Sequence, residues 1–284
     1  MTVREALQFG REQLASSRLS YPREDALLLL GLVLKCSRIR LVTSSDSKLG
    51  DPEELLFRQL IGLRRIHFPI QYMSGEQEFY GRCFRVRPGV LIPRSETELL
   101  VEETLKIVAG IEEKTISVLD VGTGSGCIAV SLACEEPRIL VTAIESSPAA
   151  LQVAELNCRR HGCRERVSLI CCELRNSPAL GKFRLIVSNP PYLDPETSGE
   201  IDRAVLDYEP PEALFGETGR LSVFREIFES AAELLDEGGS ILLELAHDHL
   251  EDVRELGQDN GWVTLAVHRD LAGWTRVAAF RREM

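Results

Sequence analysis

Residues 116–126 read Ile116-Ser-Val-Leu-Asp120-Val-Gly122-Thr123-Gly124-Ser125-Gly126, an apolar strand that ends on an acid and turns through three alternate glycines. Glycine allows positive φ and close approach of backbone to a ligand. Residues 128–132, Ile-Ala-Val-Ser-Leu, then continue as a helix. Strand, glycine turn and helix in that order mark the nucleotide-binding end of a doubly wound sheet. The dinucleotide fingerprint G-x-G-x-x-G fails by one position, because the third glycine falls at Gly126 and Cys127 stands where it is required. That departure disfavours NAD. Glu145 closes the next strand-like run about 20 residues on, where a carboxylate can accept hydrogen bonds from both hydroxyls of a ribose. The ligand is expected to carry a free ribose, the alternative being a purely structural tight turn.

Outward from this stretch, strand-like runs at 116–119, 139–144, 167–170, 185–187 and 240–245, with a final pair at 263–267 and 276–280, alternate with helical segments. The alternation predicts an α/β fold with a mostly parallel, doubly wound sheet. The first 70 or so residues read differently. Thr2 and Glu5 form a T-x-x-E capping box, and Asp51-Pro52-Glu53-Glu54 supplies a cap, a first-turn proline and first-turn acids. Residues 26–34 are apolar nearly all round, as in the buried helix of a small bundle. Between these regions, Phe79, Tyr80, Phe84, Val86, Val90 and Ile92 cluster around Gly75, Gly81 and Gly89, which predicts a hairpin joining two domains.

The 284 residues carry 33 Lys and Arg against 44 Asp and Glu, a formal charge of −11. Binding driven by nucleic-acid phosphates needs the opposite surplus. None of the eight cysteines forms a CxxC pair. Cys158, His161, Cys163, Cys171 and Cys172 are close enough in sequence to be imagined as metal ligands, but reduced buried thiols are the expected reading, with no metal. The start, MTVREALQFG, lacks the apolar stretch of a signal peptide, and the apolar run at 26–34 is too short to span a bilayer. A soluble, cytoplasmic, monomeric protein is expected, with no membrane and no direct nucleic-acid partner.

The chemistry concentrates in Leu185-Ile-Val-Ser-Asn189-Pro190-Pro191-Tyr192. The prolines remove donors and fix φ, leaving the side-chain carbonyl of Asn189 and the backbone carbonyl of Pro190 as acceptors for one group. The matching group is a planar NH₂, whose delocalised lone pair makes it a poor nucleophile until its hydrogens are held. Tyr192 can stack on that group and exclude water.

At these residues the chain resembles the class I S-adenosyl-L-methionine-dependent methyltransferases and, within them, the N5-glutamine methyltransferases of the HemK/PrmC family. The resemblance runs through Pro69-Ile-Gln-Tyr72, Leu91-Ile-Pro-Arg94-Ser95-Glu96-Thr97-Glu98, the Asp120 loop, Asn189 to Tyr192, Tyr208-Glu-Pro210, Ala213-Leu-Phe-Gly216 and Asp270-Leu-Ala-Gly273 with Arg276. It implies a helical substrate-docking domain at 1–74, a hairpin linker at 75–95 and a Rossmann-like methyltransferase domain at 96–284. The implied reaction moves a methyl group from S-adenosyl-L-methionine, leaving S-adenosyl-L-homocysteine, to the side-chain amide of a glutamine in the Gly-Gly-Gln loop of a class-1 peptide chain release factor. Asn189, Pro190, Pro191 and Tyr192 would be the catalytic group. Gly122, Thr123, Gly124, Ser125 and Gly126 would approach the methionine part of the cofactor, Glu145 would hold the ribose, Glu173 and Leu174 would border the adenine, and Asn189 would face the reactive end. A large-subunit ribosomal protein as substrate, or an adenine-N6 nucleic-acid activity, are the alternatives. Arg94, Glu96 and Glu98 would either sit beside the site or form an ion-pair network. Ser95, Glu145, Glu173, Glu217, Ala246 and His249 depart from the family pattern, and the H-x-H at His247 and His249 is expected to face solvent.

Overall fold

The computed structural model describes residues 1–17, 19–177, 179–193, 202–216, 219 and 221–283. It divides into two compact units, one formed by Met1–Gly75 with Asp202–Tyr208, the other by the remaining described residues.

The first unit is helical: α1 (Val3–Ala15), α2 (Pro22–Leu34), α3 (Arg38–Thr43), α4 (Asp51–Arg65) and α5 (Ile70–Ser74). Both halves of the capping box on α1 form, with Glu5 N–H donating to Thr2 Oγ1 at 3.2 Å and Thr2 N–H to Glu5 Oε2 at 2.7 Å. On α4 the cap is Gly50, one residue before the expected Asp51, because Glu53 Oε2 accepts from the Gly50 N–H at 2.8 Å. The bundle core includes Leu14, Leu29, Leu30, Phe57 and Ile61. Leu28 is 60% exposed, so α2 is not buried all round as its composition suggests. Residues 202–208 join this unit through Tyr208, which donates to the Ile66 carbonyl at 2.6 Å and meets Phe68 edge-on.

The second unit opens with a hairpin, β1 (Glu76–Phe79) and β2 (Arg82–Arg85). Its turn residues Tyr80 and Gly81 both take positive φ, 49° and 66°, the conformation whose twist matches the flanking strands. There follow α6 (Glu98–Ala109), β3 (Ile116–Val121), α7 (Cys127–Glu135), β4 (Ile139–Glu145), α8 (Pro148–Arg160), β5 (Val167–Cys171), β6 (Phe183–Ser188), α9 (Arg203–Tyr208, counted with the first unit), α10 (Pro211–Leu214), α11 (Ser222–Leu234), β7 (Leu235–Glu244), α12 (Leu250–Asp259), β8 (Trp262–Arg269) and β9 (Thr275–Arg282). The seven-stranded order is β5-β4-β3-β6-β7-β9-β8, with β9 antiparallel to both neighbours. The sheet is therefore mixed at one edge and parallel through the rest. β3 and β6 are buried along nearly their whole length, as central parallel strands must be when helices cover both faces.

Two apolar clusters flank this sheet, one including Leu100, Val118, Leu132 and Val187, the other including Leu119, Phe224, Phe228, Trp262 and Phe280. Strand order reverses between β3 and β6, and ligands of open α/β sheets bind in the crevice at such a point, outside the carboxyl ends of the strands. No helix among the described residues is long and apolar enough to cross a membrane.

Candidate active site

The strands at the switch point end in register, Val121 opposite Ser188. Ser188 Oγ locks them by donating to the Val121 carbonyl at 2.7 Å. The next residues on the two strands are Gly122 and Asn189, so the glycine turn and the proline dipeptide leave the sheet side by side. Both line one cavity of about 440 Å³, together with Gly124, Glu145, Glu173, Leu174 and Pro191. Thr123, Ser125, Gly126, Pro190 and Tyr192 are not on its wall.

Positive φ at Gly122 (73°), Gly124 (56°) and Gly126 (81°) turns the chain sharply out of β3. A Cβ on Gly122 would meet nothing within 4 Å, whereas one on Gly126 would lie 3.1 Å from the Ala154 Cβ. The first glycine thus leaves space open, and the third allows α8 to pack close. Asn157, fully buried on α8, donates to the Ser125 carbonyl at 2.8 Å and to Arg85 O at 3.1 Å, and accepts from Arg85 N at 2.7 Å. One amide therefore ties the glycine turn to the hairpin.

Beneath the turn, Asp120 is wholly buried and accepts from the Thr123 hydroxyl at 2.6 Å. Burial raises its pKa to about 7, with the Thr123 bond opposing. Glu145 is fixed by two backbone donors, Gly124 N–H to Oε2 at 2.8 Å and Ser147 N–H to Oε1 at 2.9 Å. Oε2 keeps a further lone pair for a diol, and Oε1 also accepts a long bond from the exposed Ser146 hydroxyl at 3.5 Å that a diol hydroxyl can replace. Glu173 accepts from Arg175 and Asn176, and Arg175 holds its carboxyl below the usual range. Leu174 is buried against the second apolar cluster. These residues fit a nucleoside carrying positive charge: open glycine space, a preorganised diol acceptor, an apolar wall and several carboxylates.

The polar side of the clamp is built from three further elements. Asn189 Nδ2 donates to Thr97 Oγ1 at 3.0 Å, and Tyr192 OH donates to Glu244 Oε1 at 3.3 Å. Glu244, 1% exposed at the end of β7, has its pKa raised to about 7 by burial, while the hydroxyls of Thr97 and Tyr192 favour its ionised form. Arg276 also favours that charge and Glu96 opposes it. Arg94 pairs with the buried Glu209, which also accepts from Ile92 N–H at 3.1 Å, and Glu98 accepts from Tyr80 N–H at 2.8 Å. Arg94 and Glu98 therefore pin the 91–98 segment from both sides. His247 is half exposed against Trp274, but His249 is buried, edge-on to Tyr192 with ring centroids 6.2 Å apart. The expectation that both histidines face solvent fails for His249, because the β7 exit folds it under the clamp.

Glu217 lies outside the described residues. Among those described, no group of three or more His, Cys, Asp or Glu residues is placed to hold a metal ion, and Cys158 and Cys163 are buried. Thr97, Asn157, Glu209 and Glu244 join the site only through the fold. Glu244 has the same signal as Asp120 and Glu145, an acid closing an apolar strand, and could have been found by it.

Residues 95–207 match the methyltransferase small domain and residues 5–75 the PrmC N-terminal domain. The release factor glutamine methyltransferase of Koribacter versatilis is 38% identical over 99% of both chains, and that of Moorella thermoacetica 38% identical over the full length of both. A ribosomal protein L11 methylase from Lactobacillus delbrueckii has a similar fold, with a TM-score of 0.52 at 20% identity over 73% of this chain and 90% of its own.

Proposed function

The chain belongs to the release factor glutamine methyltransferases, and on that premise we propose that it transfers a methyl group from S-adenosyl-L-methionine to the side-chain amide nitrogen of a glutamine in the Gly-Gly-Gln loop of a class-1 release factor. The observation that carries this reading is the juxtaposition at the switch point. A glycine turn suited to a nucleoside and an amide clamp suited to a planar NH₂ leave adjacent strands in register and meet at one cavity through Gly122, Gly124, Asn189 and Pro191.

Gly122 to Gly126 hold the methionine part, Glu145 the ribose, and Glu173 with Leu174 border the adenine. When bound, the cofactor supplies a methyl made electrophilic by a positive sulfur. Asn189 Oδ1 and the Pro190 carbonyl accept the two hydrogens of the glutamine amide and turn its lone pair toward the cofactor side of the cavity. Tyr192 covers the planar amide and keeps water out. Orientation of this kind supplies about 7–11 kcal/mol of barrier lowering when two reactants are held together. The Glu145 side chain is compatible with this role, since its carboxylate folds back onto the glycine turn and accepts from Gly124 N–H.

Labelled methyl transfer to purified release factor, its glutamine-to-alanine loop variant, ribosomal protein and DNA, run in parallel, tests the reading. Label on the release factor and not on its loop variant is expected. Label confined to ribosomal protein or to DNA overturns it.

A further inference from the structure

We infer that the turn joining β8 to β9, Asp270-Leu271-Ala272-Gly273-Trp274, docks the protein that carries the acceptor glutamine, with Leu271 and Trp274 seated in an apolar depression beside the glutamine loop. This surface deepens the function proposed above and rests on a release factor being the acceptor.

Asp270 folds the turn onto itself. Its Oδ1 accepts from Ala272 N–H at 3.0 Å and from Trp274 N–H at 2.9 Å, and its Oδ2 from Arg276 Nε at 2.8 Å. Its backbone pairs with the Gly273 N–H and the Trp274 carbonyl, both at 2.9 Å, and Gly273 takes the φ of 85° that this closure requires. Leu271 is left fully exposed and Trp274 half-exposed. A lone exposed leucine is ordinary on a protein surface. Two apolar side chains on a turn already fixed by hydrogen bonds are better suited to a partner, because less ordering remains to oppose binding. Tryptophan is also among the residues that carry most of the energy in protein interfaces.

The sheet puts this turn where the acceptor must arrive. β9 runs antiparallel to β7 with Val277 opposite Glu244, so the start of β9 lies at the carboxyl end of β7, the end at which Asn189 leaves β6. Thr275 stands two residues beyond Val277, about 7 Å further out, and β9 lies two strands from β6, about 10 Å. A stable protein interface covers about 800 Å² on each partner, a disc of about 16 Å radius, and one centred on a glutamine held by Asn189 takes in this turn. The segment after β7 joins the two places. His249 lies edge-on to Tyr192 with ring centroids 6.2 Å apart, and His247 edge-on to Trp274 at 4.8 Å. The surface is thus continuous from the clamp to the turn, and its occupant is the flank of the acceptor's own glutamine loop.

The test compares wild type, Leu271→Ser, Trp274→Ala and, as a control, Leu265→Ser, a half-exposed leucine within β8. Methyl transfer to intact release factor gives kcat and KM. Calorimetry gives the affinity for S-adenosyl-L-homocysteine and, with that product bound, for the release factor's glutamine-to-alanine loop variant. Trp274→Ala should raise KM and the loop-variant Kd about 10-fold and Leu271→Ser about 5-fold, with kcat at saturation and homocysteine-product affinity unchanged. Leu265→Ser should match wild type. Should Trp274→Ala fail to fold, Leu271→Ser carries the comparison, since its side chain packs against nothing. Unchanged KM in both turn variants, an equal loss in Leu265→Ser, or weakened product affinity overturns the docking role. So does a wild-type dimer that Leu271→Ser dissociates without raising KM, which would assign the turn to a second copy of this chain. A wild type that neither binds nor methylates release factor overturns the underlying reading instead, so the two failures are distinguishable.

Discussion

The amide of Asn189 meets the reacting group in this account, and its contribution should appear in turnover rather than in cofactor binding. Asn189→Ala is expected to lower kcat on the order of 100-fold, as loss of a preorganised polar contact does, with S-adenosyl-L-homocysteine affinity little changed. Parallel kinetics and calorimetry check this. The acid nearby makes a separate prediction about stability. Burial raises the Glu244 carboxyl from 4.5 to about 7, so the group holds its proton in the folded state over a pH range where the unfolded chain has released it. This pH-dependent cost is absent below pH 4.5, where the carboxyl is protonated in both states, and grows to its full value above about pH 7, on the order of 3 kcal/mol. Glu244→Gln should therefore melt above wild type in alkaline buffer and close to it near pH 4.5. A difference independent of pH would contradict this assignment. Asp120, Glu145 and Asn189 were legible from sequence because each closes an apolar strand at a turn. Glu244 meets the same criterion, but its partner Tyr192 lies beyond another strand and comes to it only through the fold.

Among the elements, the glycine turn and α8 act as one piece. Gly126 takes φ of 81° and allows the Ala154 Cβ within 3.1 Å of where its own Cβ would lie. Gly126→Ala should cost about 1–2 kcal/mol from the left-handed backbone alone and more from the contact, and should weaken cofactor binding by displacing the turn. Thermal melting with a binding isotherm measures both; wild-type values would remove the turn from the site. The alternation of strands and helices read directly from sequence because central parallel strands are continuous apolar runs. The apolar signal of β7 begins at 240 although the strand begins at Leu235, since Asp236, Glu237, Gly238 and Gly239 break that signal before the strand enters the core. The assignment of residues 202–208 to the first unit left no local signal. It rests on Tyr208 reaching Ile66 and Phe68, a contact between distant parts of the chain.

For the molecule as a whole, the topology places the chemistry and the charge bears on the partner. A doubly wound sheet offers one crevice where its strand order reverses, and the two signature turns emerge there. The −11 charge opposes electrostatic capture of nucleic acid. Duplex DNA in excess should therefore leave kcat/KM for release factor unchanged at physiological ionic strength, and competition by DNA would count against a protein acceptor. The most direct measurement is peptide mass spectrometry of a class-1 release factor after incubation with this chain and S-adenosyl-L-methionine. The account predicts one added methyl on the side-chain amide of the Gly-Gly-Gln glutamine, absent when Asn189→Ala replaces the wild type. An unmodified loop, or a methyl on any other residue, would contradict it.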